Sequence, residues 1–167
     1  MRWTIAVIAL LGLGAQQDAP PQIHKQGKME FPNACTVDLD EGKTDFGNTL
    51  FLDGEYELPI PADRSFKGSD FWFEAGKRRF FRPEHGALFS KNAFSAASYA
   101  DCALATYSKG AIRIDKLPID SQICVRTSEG RYASIQIKGY ESSSTRISFT
   151  YIVWEKQNPS AAAKPHH

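Results

Sequence analysis

The chain has 167 residues, 42% of them hydrophobic, with 20 Lys and Arg against 19 Asp and Glu and three cysteines. A balance this even sets up no global field that would gather nucleic acid or press the chain onto anionic lipid, so neither partner is expected. The length suits one ordinary core and is short for two, and no internal repeat is visible.

At the N-terminus, Met1 and Arg2 make a short basic start before "WTIAVIALLGLG". That apolar run is too short to span a bilayer, and Leu13 and Ala15 stand where a signal peptidase accepts small or aliphatic residues. Residues 1–15 read as a removable secretion signal. The mature chain is then secreted or periplasmic, with no stable membrane insertion after cleavage. Residues 16–30, containing "QQDAPPQIHKQGKM", are rich in Gln, Pro and Lys and show no apolar period, which predicts a flexible leader. Residues 157–167, "QNPSAAAKPHH", predict a disordered tail whose histidines carry no function. A single β-domain is assigned to residues 31–156.

Inside that domain the first β-prone runs are "ACTVDL" and "TLFL". "DLDEGKTDFGNT" begins like a calcium loop, with Asp38 and Asp40 two apart. Glycine falls at its fifth place instead of the sixth, and Thr49 stands where a bidentate Glu is required, so an acidic turn after a strand is expected and no metal site. In "DFWFE", alternation sends Phe71 and Phe73 to one face and Asp70, Trp72 and Glu74 to the other. The two carboxylates stand about 13 Å apart along a strand, too far for a glycosidase pair. The stripe is a candidate sugar-stacking platform, with Trp72 as the ring and Asp70 and Glu74 as hydroxyl acceptors. The competing reading buries Trp72 in a second core layer.

"GKRRFFRP" interleaves Lys77, Arg78, Arg79 and Arg82 with Phe80 and Phe81. Glu74 and Glu84 bracket it, so a solvated strand edge is expected and not a nucleic-acid surface. "GALFS" and "AIRID" are further short strands. The helix expected is "SAASYADCALA", capped by Ser95.

The C-terminal part alternates most clearly. In "ICVRTSEGRYASIQI", a three-residue Ser128-Glu129-Gly130 loop with Gly130 left-handed sets Ile123 opposite Ile135, Val125 opposite Ala133 and Arg126 opposite Tyr132. Ile147, Phe149, Tyr151 and Val153 form the buried side of "RISFTYIVWE". The fold class expected is mainly β, a single antiparallel sandwich or barrel with one short helix. On the polar face, Arg126 over Tyr132 is expected as a cation–π pair, and with Trp154 it forms either ordinary packing or a second speculative ligand-binding patch.

Three cysteines permit three single pairings. The bond expected is Cys102 to Cys124, because a docked helix brings the polar face of the strand to it. Closing that loop contributes roughly 3 kcal/mol. Cys35 is then a free thiol, buried or paired between chains.

Nucleophilic chemistry needs a base, and inside the domain that base has to be His85 in "RPEHGALF". No Gly-x-Ser-x-Gly elbow, Ser-x-x-Lys or Cys-x-x-Cys accompanies it. No catalytic residue and no cofactor are therefore assigned.

The succession "DLDEG", "DFWFE", "FFRPEHGALF", "YADCALATYS", "ICVRTSEGRYASIQI" and "ISFTYIVWE" resembles a β-rich module of exported or envelope-associated bacterial proteins. The resemblance covers about residues 36–155. Its specific part is "CVRTSEGRYA" ahead of the Tyr151-x-x-Trp-Glu ending. It implies a bacterial source and a β-domain, and it brings no activity and no catalytic residues. The function expected is a non-catalytic extracytoplasmic binding or scaffold module that contacts envelope glycan or a protein partner. The alternative is a small secreted hydrolase, or an enzyme inhibitor presenting a loop such as "GYESSST".

Overall fold

The computed structural model describes residues 20–31, 35–44, 67–74, 78–140 and 146–157. The expected signal segment, the "TLFL" run, most of "GYESSST" and nearly all of the tail lie outside these residues. Among the described residues, eleven strands, one α-helix and one 3-10 turn form in the order β1 (Ile23–Phe31), β2 (Cys35–Asp38), β3 (Lys43–Thr44), β4 (Phe71–Glu74), β5 (Phe80–Pro83), β6 (Leu88–Phe94), α1 (Tyr99–Leu104), β7 (Tyr107–Ser108), β8 (Ile112–Arg113), the turn at Ile114–Lys116, β9 (Gln122–Arg126), β10 (Tyr132–Tyr140) and β11 (Ile147–Trp154).

The strands pair antiparallel into two sheets, one ordered β1-β11-β10-β9-β6-β7 and the other β3-β2-β4-β5-β8. The sheets pack face to face as a sandwich, and neither closes into a barrel among the described residues. The β9–β10 hairpin has the register that alternation predicts: Tyr132 opposite Arg126, Ala133 opposite Val125 and Ile135 opposite Ile123. Gly130 takes φ +82, a conformation open to it because it lacks a Cβ. The Thr127 amide donates to the Arg131 carbonyl to close the loop.

Between the sheets, Phe71, Phe73 and Phe81 meet Phe89, Ile123, Val125, Ile135, Ile137, Ile147, Phe149 and Val153, all buried. Phe71 and Phe81 sit 4.5 Å apart between ring centroids, and Phe149 meets Phe81 edge-on at 5.8 Å. Fully burying each such ring contributes on the order of 2 kcal/mol, which makes this aromatic layer the main source of cohesion.

Three expectations need correction. Residues 23–30 of the expected leader, together with Phe31, form β1, an edge strand running along β11 from Ile23 opposite Trp154 to Phe31 opposite Ile147. Its apolar signal is weak because Gly27 lies at an inward position, where a Cβ would come within 3.1 Å of the Tyr151 ring. Lys25 and Lys28 then suit an edge open to water. The "GKRRFFRP" run is likewise no solvated edge. Strand β5 is interior to its sheet, and Arg79 is buried with its guanidinium over the Tyr140 ring. Finally, α1 is capped by Ser98 and not by Ser95. The Ser98 hydroxyl accepts from the Asp101 amide while the Asp101 carboxylate accepts from the Ser98 amide. A Ser-x-x-Asp box satisfies two end groups at once, which Ser95 cannot do from outside the first turn.

Candidate functional site

The expected platform splits at its first residue. Phe71 and Phe73 point into the sandwich and Trp72 and Glu74 point out, as alternation predicts. Asp70, just ahead of β4, is buried, because at this end of the sheet the β2–β3 turn and the β9–β10 loop close over it. The Leu39 amide donates to Asp70 Oδ2 at 2.8 Å and the Ser128 amide to Oδ1 at 2.6 Å. Ser128 also donates through its hydroxyl to the Gly68 carbonyl. One carboxylate thus joins three chain segments, and it is unavailable to a ligand lying on Trp72.

Asp38 at the end of β2 and Asp40 in the turn after it complete a cluster with Asp70. One oxygen from each lies within 4.8 Å of the others. Burial raises Asp70 to about 7 despite the two amides that favour its charge. Burial also raises Asp38 and Asp40; the Glu41 amide partly opposes this at Asp38, and Thr127 and Arg131 oppose it at Asp40. Arg131 Nη1 reaches Asp40 Oδ1 at 3.2 Å and is shared with Glu129. The turn was legible in the sequence as acidic, but its meeting with Asp70 was not, because strand pairing brings the two together across some thirty intervening residues.

Around Trp72 the outer face of the second sheet gathers residues that spacing within one strand could not supply. Trp72 is opposite Arg82, and Glu74 is opposite Phe80. Arg82 pairs with Glu74 and lays its guanidinium 5.0 Å from the Phe80 ring centroid. Beyond Phe80 comes Arg113, bound to Asp115 at 2.6 Å. Trp72 and Phe80 are both half-buried, so each presents part of a ring beside fixed charges. Arg82 and Phe80 are the members that the sequence reading left out.

The second patch is rearranged. Trp154 is only 7% exposed and packs with Cys102, Cys124 and the half-buried Tyr99, Tyr107 and Tyr132 beneath α1. Tyr132 stacks on Tyr107 at 6.2 Å and meets Tyr99 edge-on at 5.7 Å. These rings take the place of the expected Arg126–Tyr132 cation–π contact, and Arg126 stays exposed. A Cys102–Cys124 disulfide, with its Cα atoms 5.2 Å apart, fastens the helix over this small core. Cys35 is a buried thiol outside that disulfide.

His85 occupies the turn between β5 and β6 at φ +44. Its Nδ1 lies 2.8 Å from Ser69 Oγ and 3.2 Å from the Ser69 carbonyl. Ser69 donates its hydroxyl hydrogen to Glu84 at 3.0 Å. A hydroxyl has one hydrogen to give, so Nδ1 must carry its own and donate to Ser69. That is the reverse of the direction in which a base activates a serine.

No family model matches the chain, and no curated protein matches it. Among solved structures the chain is similar to the apo HmuY analog of Tannerella forsythia, at 14% identity and a TM-score of 0.47 over 80% of this chain and 99% of that one. Among the described residues, no helix is long and apolar enough to cross a membrane.

Proposed function

We propose that the protein is a non-catalytic extracytoplasmic binding module that takes an envelope glycan on the outer face of its second sheet, around Trp72 and Phe80. The observation that carries this reading is the placement of two partly open aromatic rings around the Glu74–Arg82 ion pair. Aromatic faces accept the apolar side of a pyranose, while a carboxylate and a guanidinium fixed beside them accept from and donate to its hydroxyls. The Cys102–Cys124 bond supports an exported setting, since disulfides persist in oxidising compartments. The hydrogen-bond direction at Ser69 weighs against a hydrolase built on His85.

Trp72→Ala, checked for native circular dichroism, is expected to lower retention on immobilised envelope glycan at least about tenfold, the scale of one lost stacking contact. Undiminished retention would overturn the glycan reading, as would capture of an envelope protein by a wild-type chain that ignores glycan.

A further inference from the structure

We propose that Asp38, Asp40 and Asp70 form a binding site for one divalent cation, of the size and oxygen preference of calcium. Two carboxylates from the end of β2 and its turn converge there with a third from the start of β4, with relative exposures of 4% for Asp38, 2% for Asp40 and 0% for Asp70. Their three nearest oxygens lie within 4.8 Å of one another. A calcium ion bound at 2.3–2.6 Å spans oxygens up to about 5 Å apart, whereas magnesium, at 2.0–2.1 Å, wants a tighter and more regular shell.

A separate observation at Asp40 points to a missing partner. Its Oδ1 is engaged by Arg131, but its Oδ2 is fully buried and has no hydrogen-bond partner. The Thr127 hydroxyl eases the charge of the group as a whole. A buried carboxylate oxygen left this way costs on the order of 1–3 kcal/mol, and more when charged, so a compensating group is required. Arg131 does not supply enough. It divides its one charge among Asp40, Glu129 and, at 3.9 Å, Glu155.

The other donors are arranged to match. Asp38 Oδ1 accepts from the Glu41 amide, which leaves Oδ2 for the cluster. That oxygen lies beside Gly68, where a Cβ would stand 3.4 Å away. The two amides on Asp70 use one lone pair on each oxygen and leave another for a metal. Residue by residue, the site draws on the turn after β2 and the start of β4, so a bound ion would clamp the β2–β3 turn onto the second sheet.

The test uses the purified full-length chain, stripped with chelator and titrated with calcium chloride or magnesium chloride while the thermal midpoint is followed. A saturable rise with calcium, larger than with magnesium, is expected. Asp40→Asn keeps the size and the Arg131 contact of the native side chain, and it is expected to weaken the calcium response at least tenfold; Asp38→Asn serves as a second variant if the first is poorly folded. Glu129→Gln, outside the three ligands, should retain the response. A midpoint that ignores millimolar calcium overturns the site, as does an equal response in wild type and both Asn variants. A midpoint governed by proton concentration alone would assign the buried oxygen to a proton shared with Asp70, and would also overturn it.

Discussion

The Tyr151 hydroxyl occupies the space that a side chain at Gly42 would fill: a Cβ there would stand 2.6 Å from Oη. Gly42 also holds φ +66, in the left-handed region. Gly42→Ala should therefore lose about 1–3 kcal/mol in chemical denaturation, part from backbone strain and part from the clash. In a Tyr151→Phe background the clash is relieved, and the same substitution should cost measurably less. Strictly additive losses would show that the two positions do not meet.

The disulfide gives a direct chemical prediction. Alkylation without reductant should label nothing in the native protein and Cys35 alone after denaturation, since Cys35 is buried and the other two cysteines are bonded. Label on Cys102 and Cys124 would refute the pairing. Replacing both with serine should cost roughly 3 kcal/mol, the loop-entropy value for a bond spanning 22 residues of sequence.

Ser95 and Ser98, three positions apart ahead of α1, separate the two capping assignments. Ser98→Ala breaks the reciprocal bonds with Asp101 and should cost about 1 kcal/mol in urea denaturation. Ser95→Ala should change stability by no more than a few tenths of a kcal/mol, within the range of neutral surface substitutions.

Asp70 predicts a pH dependence with a definite sign. Burial raises it from 3.8 to about 7 in the folded chain, so folding favours its protonated form. That contribution is complete below about pH 4 and disappears as pH rises through about 7, with a span on the order of 4 kcal/mol at most. Chelator-treated protein should have a higher urea midpoint near pH 5 than near pH 8, and Asp70→Asn should flatten the difference. A wild-type slope unchanged in the variant would place the effect elsewhere.

The alternating C-terminal strands were readable in the sequence because one face of each meets the core, so polarity reverses at every residue from Ile123 to Arg126 and from Ile147 to Tyr151. Strand β1 was not, since its register comes from β11 and its inward Gly27 yields space to Tyr151. The outward stripe of "DFWFE" held for Trp72 and Glu74 and failed at Asp70. Alternation says which way a side chain leaves a strand, but it does not say whether a loop from elsewhere covers it. Cross-strand neighbours such as Arg82 and Phe80 follow from pairing between β4 and β5, which no single run contains. The aromatic cover beneath α1 follows from a helix docking onto a polar-looking face, where Cys124 and Ser134 gave little sign of burial.

Strands β9 and β10 are enclosed from both directions: Val125 and Ile135 face the sandwich interior, while Cys124 and Ser134 face the tethered helix. Deuterium from solvent can reach their amides only when the whole body opens, whereas the ends of β1 and the two-residue strands exchange through local fraying. The slowest-exchanging nucleus of the molecule therefore lies off its geometric middle, under α1, and the hairpin that is plainest in the sequence is the last part to come undone.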